Sequence, residues 1–463
     1  MSSVVVIGGG LAGLAAAIAL AARGHQVTVL EASPTPGGKA RAHDVGRAHV
    51  DLGPTILVDV APLSALCALA GVGFEQALSV QPLDPGLVAC FPRGEIVLHA
   101  DQTRLAADVA RLGPHAAQDW DRMLTLGRRA ARLTDHFIRH GDVRDMRDLL
   151  GFLRGGPLAL GDVTPFIRFP SLAAVLERFI ATASLRALLG HFSRFVGLPA
   201  PMAPSVALVI PYLMATSGVW YPRGGVSTLV GSLVRLAVKH GVAFELGDAV
   251  EGVRVRGRRA CEIVTAAGRR YPADAVVAAV DARVTARWLG GDLAARVARL
   301  RPAFAARVAW WVIDGTPARA AHHTLYFNGE EDEPLYVAVP TVSDAALAPP
   351  GHSIVYTLLH APPDPAPSPA LAEHMRARLV AAGGWPAGRV VASGVAGGEE
   401  SCYGYAIAPG LFRSFRLSPR LREVDNVVLA GGSVFPGPGV ANVIRSGLRA
   451  AELVAGALSP ERR

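Results

Sequence analysis

The chain has 463 residues, 51% of them apolar and 18% charged, which excludes a disordered chain and leaves room for two intertwined domains. Its 46 basic residues exceed 38 acidic ones, but only Lys39 and Lys239 are lysines, and no dense basic block interleaves with aromatics, so the charge does not point to nucleic acid. Four scattered cysteines without a CxxC pair argue against a disulfide framework and a structural zinc site, and for a reducing cytoplasm.

Mean hydropathy is +0.32, high enough to suggest an apolar ligand or a membrane surface. Val4–Ala22 is uncharged and nearly long enough to span a bilayer. Only Met1-Ser2-Ser3 precedes it, without a basic region, and Gly8–Gly10 interrupt it, so no transmembrane helix is expected. Instead SVVVI (3–7) reads as a buried strand, LAGLAAAIALAARG as a small-residue helix ending at Gly24, and HQVTVLEA as a second strand.

Gly8-x-Gly10-x-x-Gly13 lies at the strand-to-helix turn. Gly8 permits the turn, Gly10 lets backbone approach a pyrophosphate, and Gly13 lets helix and sheet pack closely. The helix N-terminus offers free N–H groups and a positive dipole end to the phosphates. Glu31 ends the second strand, followed by Ala32, where a carboxylate accepts ribose hydroxyls; an acid there favours FAD or NAD over NADP. Gly37-Gly38-Lys39 then offers a second glycine pair with a cation to fold over the pyrophosphate, which favours FAD; an ordinary turn is the alternative. Asp51-Leu52-Gly53-Pro54-Thr55 follows.

Residues 101–154 are rich in Arg and Asp at helical spacing, and 172–189 place Leu172, Val175, Leu176, Phe179, Ile180 and Ala183 on one face. Between 150 and 200 lie Arg154, Arg168, Arg178, Arg186 and Arg194 against Asp162 and Glu177, a basic apolar stretch that suits an anionic lipid surface or an inward-packed helical subdomain. Pro211 should kink or break a helix over 204–215. From Gly241 to Val280 the pattern is of strands and hairpins, and 305–313, 335–340 and 353–359 read as further strands. Residues 361–370 should be a Pro-rich loop, and the end returns to strand, glycine turn and helix.

GGKARAHDVGRAHVDLGPTIL resembles the bacterial-type phytoene desaturase family of FAD-dependent carotenoid desaturases. So do Gly218–Gly225 (GVWYPRGG), the strand set from Val250 to Asp281, and LAGGSVFPGPGV (429–440) with its following helix. The last resembles most the hydroxyneurosporene and methoxyneurosporene desaturase branch, while GVWYPRGG is closer to phytoene desaturases. The resemblance implies an α/β fold, with a Rossmann-like FAD-binding domain of the amine oxidase and GDP-dissociation-inhibitor type and a discontinuous substrate domain of sheet and helices. The expected division is 1–75, 205–300 and 395–463 for FAD, and 76–204 and 301–394 for substrate and membrane.

By the same resemblance Gly8, Gly10, Leu11, Ala12, Gly13, Glu31, Ala32, Gly38, Lys39, Gly53, Pro54 and Thr55 should line FAD. Val250 should hold the adenine through its backbone, and Gly432, Gly439 and Val440 should approach the flavin ring. The implied activity is desaturation of an acyclic C40 polyene, with oxygen or a quinone as acceptor, by a cytoplasmic protein peripheral to the inner face of a bacterial membrane. Such chemistry needs a long apolar tunnel with few titratable groups.

No catalytic base is assigned. Tyr403, Glu399, Glu400 and His191 are candidates whose bland alternatives are a surface loop and packing. Trp220 and Tyr221 suit the cavity wall, and Trp310 and Trp311 should point to opposite faces of a strand. His322 and His323 should not face one ion, and no metal site is expected. Two rival functions stay open: a flavin amine oxidase or saturase on the same scaffold, and a redox-inactive prenyl-chain carrier.

Overall fold

The computed structural model describes residues 2–140, 160–315, 321–327, 333–364, 367–409 and 416–458, with side chains left out at 139, 140, 160, 162 and 398–401. Arg154, the helical pattern over 141–154, and the side chains of Asp162, Glu399 and Glu400 therefore lie outside the described residues.

The βαβ unit forms as its sequence requires. Strand Ser3–Ile7 is flanked by Gln26–Glu31, and helix Leu11–Ala21 between them is buried at nearly every position because alanine and leucine fill it throughout. A side chain with no exposed face needs partners on all sides. The sheet lies on one side and helix Val440–Leu458 on another, with helix Val226–Lys239 also against it.

Five parallel strands make this sheet, in the order Val427–Leu429, Ala275–Ala278, Ser3–Ile7, Gln26–Glu31, Ala243–Leu246. An antiparallel sheet of Val250–Arg256, Arg259–Thr265 and Arg270–Pro272 is inserted between two of them. The chain thus returns to the first sheet twice after long excursions.

The second body is a seven-stranded sheet, in the order Arg389–Cys402, Ala305–Asp314, His352–Ala361, Leu335–Ala338, His323–Tyr326, Leu87–Phe91, Gly94–Leu98. Pairing is antiparallel except between His323–Tyr326 and Leu87–Phe91. Alternation gives it two apolar faces. Trp311, Val337 and Val355 pack under helix Pro369–Ala381, whereas Trp310, Tyr336, Tyr356 and Leu358 face inward toward the helices of 102–217. Trp310 and Trp311 therefore do point to opposite faces.

Two helical expectations need correction. The face over 172–189 is split into helices Leu172–Phe179 and Ala183–His191. Buried Asp119 makes the break: its carboxylate accepts from Ala181 N at 2.9 Å and from Thr182 N and Oγ1, both at 2.8 Å. Over 204–215, a 3₁₀ turn Ser205–Leu208 runs into helix Val209–Ser217, so Pro211 sits in the first α-helical turn, where its missing N–H is harmless. Among the described residues no helix is long and apolar enough to cross a membrane.

Candidate functional site

Glycines bring three distant segments against the start of the first helix. Gly8, at φ +103°, turns the chain off its strand, and a Cβ at Gly13 would overlap the Gly8 carbonyl oxygen. The amides of Leu11, Ala12 and Gly13 precede the first intrahelical bond, Leu14 N to Gly10 O, and no side chain caps the helix. Orphan N–H groups at a helix start are an anion site in waiting.

Glu31 closes one side of this site. Its Oε2 accepts from Gly9 N at 2.6 Å and its Oε1 from Ser33 N at 2.9 Å, so backbone fixes the carboxylate while each oxygen keeps a free lone pair. Ala32 is exposed beside it. Gly247 N donates to Ser33 O and Asp248 N to Glu31 O, which seats the turn before Val250 against the end of the Glu31 strand. Val250 lies at the start of its own strand, beside a bulge.

The second glycine pair folds back as expected. Gly37 N donates to Gly9 O at 2.9 Å, Gly10 and Gly37 form an isolated bridge, and a Cβ at Gly38 would stand 3.2 Å from Gly10 Cα. Lys39 follows. Its Nζ donates to the Cys402 carbonyl, and desolvation holds its pKa below the usual lysine value although the residue as a whole is exposed. Bonded to one carbonyl and, among the described residues, to no carboxylate, this ammonium suits an anionic ligand.

The chain then forms a hairpin, Ala42–Val45 with Ala48–Asp51, whose far end returns beside Lys39 through Leu52 N to Arg41 O. Asp51 is buried and anchors the next motif. It accepts from Tyr221 Oη at 2.7 Å and from Val226 N at 3.0 Å, tying GVWYPRGG to DLGPT. Burial raises its pKa, and these bonds work against that rise. Tyr221 is thus a buried strut, not a free cavity residue. Trp220 packs against the parallel-sheet core instead, donating Nε1–H to Ser217 O.

Beyond Asp51, Gly53–Thr55 approaches the inner face of the seven-stranded sheet. A Cβ on Gly53 would stand 3.8 Å from Tyr356 Oη, and Thr55 Oγ1 lies 2.7 Å from Tyr336 Oη. Tyr336 Oη is also 2.7 Å from His323 Nδ1, while His323 Nε2 has no partner. His322 and His323 lie with ring centroids 4.3 Å apart, and His322 precedes the regular strand. Desolvation keeps both imidazoles neutral, that of His322 at about 3. Among the described residues no group of three ligand side chains accompanies them.

The third segment is the glycine turn before the last helix. Gly431 N donates to Ser446 Oγ at 3.0 Å, and a Cβ at Gly447 would overlap Ala12 O, so this helix packs directly on the first. Gly432 approaches Pro438, and among the described residues none beyond its chain neighbours comes within 4 Å of where a Cβ on Gly439 would stand. Open space thus borders the amides of Val440, Ala441 and Asn442, which precede the bond from Val443 N to Gly439 O. Glycine turn, open space and unpaired amides fit the pyrimidine edge of a flavin, where negative charge collects on reduction.

Two contributors near this turn carry no local sequence signal. Asp281 accepts from Tyr405 Oη at 2.7 Å and from Ser433 Oγ at 3.3 Å. Arg416 donates from Nη1 to Tyr405 O and lies against Gly437, with no carboxylate partner among the described residues. Desolvation pulls its pKa down to about 10. Only the tertiary fold brings 281, 405, 416 and 433 together.

A model for the flavin containing amine oxidoreductases matches residues 11–455. A lycopene-forming phytoene desaturase of Pseudescherichia vulneris is 31% identical over 387 residues, covering 78% of this chain and 77% of its own. A hydroxyneurosporene desaturase of Rubrivivax gelatinosus is 30% identical over 496 residues, covering 97% and 92%. Among solved structures, cyclohexylamine oxidase from Brevibacterium oxydans superposes with a TM-score of 0.64 at 15% identity, over 99% of each chain, a likeness of fold.

Proposed function

The chain belongs to the flavin-containing amine oxidoreductase family, among its carotenoid desaturases, and from that premise we propose that it desaturates an acyclic C40 polyene. It is an FAD-dependent oxidoreductase acting on CH–CH groups. The observation that carries the substrate reading is the inner sheet face, where Val308, Trp310, Ile354, Tyr356 and Leu358 present an apolar wall beside the cofactor-facing turn Gly53–Thr55.

We assign FAD contacts to Gly8, Gly10, Leu11, Ala12, Gly13, Glu31, Ala32, Gly38, Lys39, Gly53, Pro54, Thr55, Val250, Gly432, Gly439 and Val440. The first helix start and Gly38–Lys39 would hold the pyrophosphate and Glu31 the ribose. Gly439 and the amides after it would meet the ring edge. The supports are the orphan amides, the fixed Glu31 carboxylate and the open space beside Gly439. When bound, FAD supplies the acceptor of a hydride from the polyene.

The protein's share is positional. The Trp310 face aligns the chain and keeps water from the developing cation. A –CH2–CH2– unit loses a hydride and then a proton, so a base is needed. A proton beside a polyenyl cation is strongly acidic, and a weak neutral base suffices. The Thr55–Tyr336–His323 chain ends at an unpaired imidazole nitrogen, and we name it as the acceptor route.

Membrane delivery is part of the proposal. A groove of about 290 Å³ is lined by Arg129, Arg168, Arg178, Pro165, Phe169 and Phe179, and Ile167 beside it is 55% exposed. Cations interleaved with exposed apolar side chains suit anionic headgroups over acyl chains. The acceptor that returns FAD to its oxidised state would be oxygen or a membrane quinone. The discontinuous division at 1–75, 205–300 and 395–463 is retained as the boundary between cofactor and substrate parts.

Incubation with vesicles carrying phytoene, neurosporene or a 1-hydroxylated acyclic carotenoid tests the function. A polyene band moving to longer wavelength supports it. Flavin turnover on amines without any polyene change would transfer the chain to the oxidase reading.

A further inference from the structure

Two cations bond to one short segment of backbone. Lys39 Nζ donates to the Cys402 carbonyl, and Arg416 Nη1 donates to that of Tyr405 at 2.9 Å. Desolvation lowers the pKa of both, yet by surface area Lys39 is exposed and Arg416 only half-buried. Side chains that are deep in the fold and still accessible line an internal cleft.

Glycines make the room that Arg416 occupies. Gly437 has φ +116° and belongs to the turn before the last helix; a Cβ there would overlap Arg416 Nε. Gly404 has φ +89°, and its Cβ would stand 2.7 Å from Gly432 O and 3.6 Å from Arg416 Nη1. The guanidinium therefore sits between the Cys402–Tyr405 segment and the turn Gly431–Gly439. It has five N–H groups, and Tyr405 O is their one bonded acceptor among the described residues. The charged and titratable groups around it offer no counter-ion. Asp281 accepts from Tyr405 Oη, Ser433 Oγ and Arg283 N, at 2.7, 3.3 and 2.9 Å. The Cys402 thiol donates to the carbonyls of Ala303 and Gly404. Lys39 and Arg283 are cations themselves.

A desolvated cation without a carboxylate partner is costly unless an anion joins it. FAD carries negative charge in two places: on its pyrophosphate, and on the ring once reduced. Lys39 follows Gly38, which lies against Gly10 at the start of the first helix, the place assigned to the pyrophosphate. Arg416 lies against Gly437, two residues before Gly439. We propose that Arg416 is the counter-charge of the flavin ring, stabilising the negative charge that a hydride brings to it and so setting how strongly the bound flavin draws that hydride. The donor carbon gives up a hydrogen with its electron pair, and the ring gains both and one negative charge; Arg416 exchanges no proton and forms no covalent bond. The inference rests on the FAD contacts assigned to Gly432, Gly439 and Val440, and not on which molecule supplies the hydride.

The test therefore needs no polyene. Arg416→Gln keeps a donor for Tyr405 O and removes the charge, and Arg416→Lys keeps the charge. The two-electron potential of the bound flavin is measured by slow reductive titration against a reference dye, and the affinity for oxidised FAD by fluorescence quenching. In Arg416→Gln the reduced form should lose at least tenfold in affinity relative to the oxidised form, which is a potential lower by about 30 mV or more. Arg416→Lys should restore most of it. The pH at which the reduced ring takes up a proton should rise in Arg416→Gln by about one unit for each tenfold. An unchanged potential in Arg416→Gln with weaker FAD binding would make Arg416 a pyrophosphate clamp and overturn the proposal. Equal potentials in the Gln and Lys variants would also overturn it, since shape and not charge would then matter. The wild type alone gives a check that needs no variant: its reduced ring should stay anionic below the pH at which free reduced FAD takes up that proton, and uptake at or above that pH would contradict the assignment. Failure to desaturate any polyene would remove the desaturase reading without touching these results.

Discussion

Glu31 commits one carboxylate oxygen to Gly9 N and the other to Ser33 N. In Glu31→Gln one of those oxygens becomes an NH2 facing an N–H, so a bond becomes a clash of donors. Charge-assisted bonds of this kind contribute about 1.5–3 kcal/mol. FAD affinity should therefore fall roughly tenfold or more, read by titrating the recovery of flavin fluorescence quenching. The buried histidines set the pH response. His191 and His322 are held near 3 in the fold, against an ordinary value of 6.5. Below pH 6.5 the unfolded chain binds protons that the folded chain refuses, so stability is full above 6.5 and is lost as pH falls toward 3. Each histidine contributes a slope of about 1.4 kcal/mol per pH unit in that window. Urea midpoints at pH 7.5 and 5 should show the loss, and His191→Phe should flatten it. Glycine and acid positions near 8–13 and 31 were legible because turn, dipole and carboxylate act within one βαβ unit. Asp281 was not, since its partners Tyr405 and Ser433 lie far away in sequence.

Helix Val440–Leu458 tests the packing logic at the next scale. Gly447 leaves no room between this helix and Ala12 O, whereas a Cβ at exposed Gly456 meets nothing. Gly447→Val should part the two helices, destabilise by about 2 kcal/mol or more and release flavin. Gly456→Ala should stabilise by about 0.5–1 kcal/mol through helix propensity and leave flavin bound. Denaturation curves and bound-flavin absorbance decide both. Strands were readable from sequence where alternation or a β-branched run was strong, as in Ser3–Ile7 and Ala305–Asp314. Arg389–Cys402 was not, because its glycines carry no alternating pattern and its ladder with Ala305–Asp314 comes from tertiary pairing. Gly394 shows the reason: it lies opposite Trp310, and a Cβ there would strike the indole.

At the scale of the molecule, one open parallel sheet carries the glycine turns assigned above to the cofactor, and one larger sheet carries the apolar face proposed for the polyene. The basic groove near Arg168 and Arg178 predicts binding to anionic vesicles that weakens with added salt and with Arg168→Glu/Arg178→Glu. Co-flotation with vesicles measures it, and equal binding to neutral vesicles would argue against the electrostatic part. The central claim is a coupled transfer from polyene to flavin. Its most direct measurement is an anaerobic single turnover of the FAD-loaded protein with an acyclic carotenoid in vesicles, recording flavin and polyene absorbance together. The account predicts that loss of the oxidised-flavin band and the red shift of the polyene band proceed at one rate, with one new double bond per flavin. A flavin band that stays constant while the polyene shifts, or one that bleaches while the polyene does not, would contradict it.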